Sequence, residues 1–200
     1  MYVHRNYKRL IAVVIMITVY SMSVLASVTS VIIVRNYEVK YSSSACWLAC
    51  AKNVNIAENI SSALTQADAL SYVESVLGTS FSNGGTAQST ALAAEYLSLN
   101  TQVYNYTYNY MLFGNIEHSI DLGHAIIAGL SIYINGVFQG NAHMVMINGY
   151  GNSTDGTEYV YYHDPDTGSQ GFSNYYYFRT GAYMGLYYDT TVYNDGAEEK

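Results

Sequence analysis

Residues 103–110 read Val-Tyr-Asn-Tyr-Thr-Tyr-Asn-Tyr, an alternation with a period of two. Successive side chains of an extended chain point to opposite faces, so this octet fits a strand and not a helix. It also marks a change of period. Upstream, Cys46, Ala49, Cys50 and Val54 fall on one helical face, and the spacing predicts a helix from about Ala45 with Ser43 or Ser44 as its N-cap. A second helix is predicted over 66–77, where Thr65 and Asp68 form a capping box and Gly78 follows the last turn. A third, over 87–97, follows the turn "SNGG".

Downstream the pattern predicts a short helix around 115–121, ended by Gly123. Apolar strands follow at 125–134 and 143–150, then a hairpin through Asp155-Gly156 and a partner strand at 159–163. Aromatic runs predict further strands at 175–178 and 184–188, and the polar tail from Asn194 is expected to fray. An extended segment at 30–39 precedes the helices. Helices first and an antiparallel sheet afterwards make an α+β architecture.

The first 34 residues differ from the rest. Arg5, Lys8 and Arg9 precede a run of 25 uncharged residues, 10–34, and Val24-Leu25-Ala26 has the small-residue spacing of a signal-peptidase site. A leader over 1–26 is expected, with a membrane anchor to about residue 34 as the alternative. Either way the domain from residue 27 to 200 is expected outside the cytoplasm, with no membrane association once a leader is cleaved. Without residues 1–26 the chain keeps 5 Lys+Arg against 15 Asp+Glu, a net of −10. That balance argues against a nucleic-acid partner, because phosphate binding needs clustered Lys and Arg.

Cys46 and Cys50 are the only cysteines. Three readings are open: inert packing, a disulfide, or a nucleophile. A bridge would close a tiny loop along one helix face, a poor geometry with little entropic benefit. In the first turn of a helix, unpaired amides and the helix dipole favour a thiolate at Cys46. A base would then be needed. His4 lies in the leader, His118 reads as a solvated helix residue, and His163 should point away from Asp164. His124 and His143 both open an apolar strand. Only His143 is followed by a hairpin that returns Asp164 beside it, where a carboxylate would orient an imidazole; His124 has no comparable carboxylate on the next strand.

The segments "ACWLAC", "AHMVMINGY" and "YYHDPDTG" together resemble papain-like cysteine peptidases. The similarity is to the compact secreted bacterial branch, related to staphopain-type and double-glycine-leader peptidases. The resemblance spans roughly residues 31–193 and includes "SNGGT". It implies an N-terminal helical half packed on a C-terminal antiparallel sheet, with the cleft between them. It also implies that Cys46 is the nucleophile, followed by Trp47, that His143 shuttles the proton, and that Asp164 orients His143. The Cys46 amide would help hold the oxyanion. The glutamine that usually contributes about six residues before the cysteine is Lys40 here, so Lys40 or the hydroxyls of Ser42–Ser44 would have to replace it. No cofactor and no metal are implied, and the substrate would be a peptide or protein. Two other readings remain: a catalytically silent relative that binds peptide or glycan at the cell surface, and a structural or adhesive exoprotein. "DPDTGS" has the alternating oxygens of a calcium loop without its full ligand set, and reads as a turn.

Overall fold

A computed structural model describes residues 28–181 and 185–197; the expected leader over 1–26 lies outside the described residues. The elements, in chain order, are β1 (Val28–Ile32), α1 (Cys46–Ala57), α2 (Gln66–Leu77), α3 (Ala87–Leu97), β2 (Tyr104–Thr107), α4 (Phe113–Asp121), β3 (Ile126–Ile134), β4 (Val137–Ser153), β5 (Glu158–Asp164), β6 (Ser169–Asn174), α5 (Tyr175–Thr180) and β7 (Leu186–Asn194). All strand pairings are antiparallel, in the order β2-β7-β3-β4-β5-β6. Strand β4 pairs with β3 over 137–147, and β1 then continues along it over 149–153. The last part of the long uncharged run is thus a sheet strand. Among the described residues no helix is long and apolar enough to cross a membrane. The architecture is α+β with an antiparallel sheet.

Both faces of the sheet are apolar, so both are covered. Ala125, Ile127, Met144 and Met146 pack against α1–α3, together with Trp47, Leu48, Val54 and Leu97. Their alternates Ile126, Ala128, Val145 and Ile147 pack against α4 and α5, through Phe113, Ile116, Ile120 and Phe178. The three N-terminal helices thus pack on one face of the sheet, and α4 and α5 add a second layer on the other. A strand whose two faces are both apolar needs a layer on each.

Local capping explains what agrees and what does not. Helices α2 and α3 run over their predicted residues, and both Thr65/Asp68 and Thr86/Ser89 form capping boxes. Residues 175–178, predicted as a strand, are helical instead. The side chain of Asn174 accepts a bond from the Tyr177 amide, Gly181 (φ 70°) closes the helix, and Tyr175 and Phe178 face the core three residues apart. Strand β6, which has no apolar alternation, was not predicted. Nor was the Asn135-Gly136 hairpin (φ 52° and 77°), which extends β4 back to Val137. Asn194 does not fray: it is buried, and its amide donates to Glu58 and Gln102.

Trp47 fills the junction between α1 and the loop at 81–86. Its ring lies 5.7 Å from that of Phe81. It also packs on the backbone of Gly85, where a Cβ would sit 2.3 Å from Trp47 Cδ2. Any side chain at 85 must push the indole out of a close-packed core. Gly85→Ala is therefore expected to lower stability by about 1–3 kcal/mol, the usual cost of overpacking. Urea unfolding followed by tryptophan fluorescence checks this, and an unchanged midpoint would show that the loop yields freely.

Candidate active site

Helix α1 begins at Cys46 without a side-chain cap, so the expected cap by Ser43 or Ser44 is corrected. The Ser44 hydroxyl donates instead to the Ser82 carbonyl at 2.7 Å, tying the helix start to the 82–86 loop. The first helical backbone bond runs from Ala49 N–H to Ala45 O. The amides of Cys46, Trp47 and Leu48 thus belong to the first turn, where the helix itself offers no acceptor. Cys46 is half-buried, Cys50 is fully buried, and both thiols are free. Cys50 donates to the Met144 carbonyl at 3.4 Å, which docks α1 on β4 one residue away from His143.

His143 Nε2 lies 2.8 Å from Asp164 Oδ1. A carboxylate only accepts, so Nε2 carries the proton and Nδ1 is the nitrogen left for other partners. Burial of the ring works against its charge, but the hydrogen bonds to Cys46 and Asp164 and the charge on both outweigh it. The His143 pKa is pushed up to about 8. Burial pushes the Cys50 thiol well above its ordinary range. The two cysteines therefore sit in opposite surroundings: one beside an imidazolium, the other in the core.

The loop after β5 holds Asp164 in place. Asp164 Oδ1 also accepts from the Asp166 amide at 2.9 Å, and the Lys40 amide donates to Pro165 O at 3.0 Å. The Lys40 ammonium lies 2.6 Å from Asp166 Oδ1 and donates to Ser43 O at 3.2 Å. Asp166 Oδ1 is in turn 3.7 Å from His143 Nδ1. Lys40 thus reaches the site through Asp166, and it is not among the residues lining the cleft described below. His143, Asp164 and Asp166 lie close enough to share a metal ion. Here their atoms pair with one another and with Lys40, and an ion would have to displace that ammonium.

The other histidines separate clearly. His163 faces away from Asp164 and is buried beside Asn53 and the Tyr37 ring; burial lowers its pKa. His124 has a carboxylate partner of another kind: its Nδ1 is 2.9 Å from Glu58 Oε1. Glu58 comes from the end of α1 rather than from a neighbouring strand, which sequence reasoning could not anticipate. This pair joins Tyr104 and Asn194 in a buried network away from both cysteines.

Cys46 and His143 open onto a cleft of about 760 Å³. One wall is Ser43, Ser44, Trp47 and residues 83–86; the other is Tyr108, Tyr133, Phe138, Met144, Asp189 and Thr190. Sequence reasoning missed the second wall. The available signal was Asp189, the one acidic residue in the aromatic stretch "LYYDTTVY". No family model matches the chain, and no similar sequence is found among curated proteins.

An NMR titration checks the electrostatics. His143 should titrate near pH 8. Asp164→Asn and Cys46→Ala should each move it down. Because the folded value lies above an unfolded value of about 6.5, the associated stabilisation is complete below about pH 6.5 and is lost as pH rises through about 8. A His143 titration at or below 6.5 in the wild type would contradict the ion-pair geometry.

Proposed function

We propose that the protein is an exported papain-like cysteine peptidase, a hydrolase with a Cys46–His143–Asp164 triad. One observation carries this reading. The cysteine in the first turn of α1 shares the wall of an open cleft with a histidine whose Nε2 lies 2.8 Å from a carboxylate. Export rests on the basic and then uncharged first 34 residues.

In this reading the imidazolium at His143 holds Cys46 as the thiolate. The sulfur attacks the scissile carbonyl carbon, and the carbonyl electrons move to oxygen. The first-turn amides of α1 donate to that oxyanion, as helix N-termini do for anions. His143 then gives its Nδ1 proton to the leaving amine, which yields a thioester. Water, deprotonated by His143, attacks the thioester; the C–S bond breaks, the acid is released and the thiolate is left beside the imidazolium that took the water's proton. Asp164 keeps the ring oriented throughout. Lys40 is a positioning residue: it neutralises Asp166, which would otherwise compete with the thiol for Nδ1–H.

A second reading, a silent relative that binds peptide or glycan, is favoured by position 40. With Lys40 engaged on Asp166, a side-chain oxyanion donor from that position is lacking, and loss of one such donor costs on the order of 100- to 1000-fold in rate. Turnover of an internally quenched peptide library separates the two. Cys46→Ala and His143→Ala should each reduce turnover by about 10³-fold or more, while His124→Ala, if folded, should keep most of it. A wild type that binds peptides without cleaving them would support the silent relative. Loss of turnover in His124→Ala with retention in His143→Ala would overturn the assignment of the base.

A further inference from the structure

The wall of the cleft formed by β3 and β7 carries an anionic, aromatic subsite. Strand β7 bulges against β3: Gly129 pairs with Thr190 and Leu130 with Tyr188, so Asp189 is the extra residue. Bulges of this kind re-aim side chains, and Asp189 lines the cleft. Its neighbours leave no slack, since a Cβ at Gly129 would lie 2.8 Å from the Thr190 Cβ.

The carboxylate is fixed entirely by neutral hydroxyls. Oδ1 accepts from Ser131 at 2.8 Å and from Thr190 at 3.2 Å, and Oδ2 accepts from Tyr133 at 2.9 Å. Among the described residues it has no ion pair, although Asp164 and Asp166 both have cationic partners. A carboxylate offers about four acceptor positions, so one on Oδ2 remains. Beside it stands a cluster of aromatic rings: Tyr133 with Phe138 at 5.7 Å and with Tyr187 at 5.1 Å, both edge to face. Tyr133 and Phe138 line the same cleft, and Phe138 is half exposed. A rigid carboxylate with one open acceptor position, next to aromatic faces, is the chemistry that receives an ammonium or guanidinium group. The excess of acidic residues in the chain favours the approach of such a ligand.

We infer that Asp189, Tyr133 and Phe138 form a specificity subsite for a lysine or arginine side chain of the bound peptide. This rests on the reading that the cleft receives a peptide, and not on Cys46 being catalytically active.

The test is equilibrium binding to the full chain carrying Cys46→Ala, so that cleavage plays no part. Fluorescent hexapeptides with a single Lys, Arg, Gln or norleucine at each position are titrated by anisotropy at low and high salt. Basic peptides should bind about tenfold or more tightly than their neutral counterparts at one position, a preference that weakens with salt. Adding Asp189→Asn should abolish the preference, while Asp189→Glu should restore part of it. Thermal unfolding identifies any variant that has failed to fold. Equal binding of basic and neutral peptides, or a preference that survives Asp189→Asn, overturns the proposal. So does binding of a neutral oligosaccharide such as chitohexaose in place of peptides. A basic preference in a protein that cleaves nothing would leave the subsite intact and remove only the peptidase reading.

Discussion

The docking of α1 on β4 decides where everything else in the site can stand. Cys50 donates to the Met144 carbonyl, and Met144 and Met146 pack among Trp47, Leu48 and Val54. Burial of this kind is worth about 1.5–3 kcal/mol for each large apolar side chain, so the helix cannot slide along the strand without losing several of them. Cys46 lies four residues, about 6 Å along the helix axis, before Cys50, and His143 lies one residue before Met144. Fixing Cys50 against Met144 therefore brings the half-buried thiol to the imidazole. The second cysteine is then neither a disulfide partner nor a nucleophile: it is the contact that sets the register of helix on sheet.

Charge is arranged around that contact in pairs. A buried imidazolium is costly unless anions surround it, and His143 has Asp164 at 2.8 Å, the Cys46 thiol, and Asp166 at 3.7 Å. Two carboxylates could over-stabilise the ring, but Lys40 takes Asp166 at 2.6 Å. The Lys40 amide also holds Pro165, so the segment before α1 braces the loop that presents Asp164. Position 40 thereby gains a part in holding the His143 imidazole in place. Asp189, on the far wall of the cleft, has no cationic partner among the described residues.

How much of this was legible follows from how local each signal is. Helix α2 was readable because its capping box is written within four residues, and α3 because it follows the turn "SNGG". The juxtaposition of His143 and Asp164 was readable because the Asp155-Gly156 hairpin fixes the return of the strand. The helix at Tyr175–Thr180 was not, because three tyrosines favour a strand until the Asn174 cap and Gly181 are weighed together. The Glu58 partner of His124 and the bulge that aims Asp189 depend on packing between elements far apart in sequence. Lys40 was singled out because it stands where the resembled family has a glutamine, and that position does not reveal which carboxylate its ammonium will find.

The central claim is that Cys46 is an activated thiolate and Cys50 an inert core residue. Iodoacetamide labelling of the folded protein across pH 5–8, mapped by mass spectrometry, tests it most directly. The account predicts that Cys46 alkylates at least about a hundredfold faster than Cys50 near pH 6, and that His143→Ala removes most of this advantage on the acidic side. Equally slow labelling of both cysteines, or a Cys46 rate indifferent to His143, would contradict it.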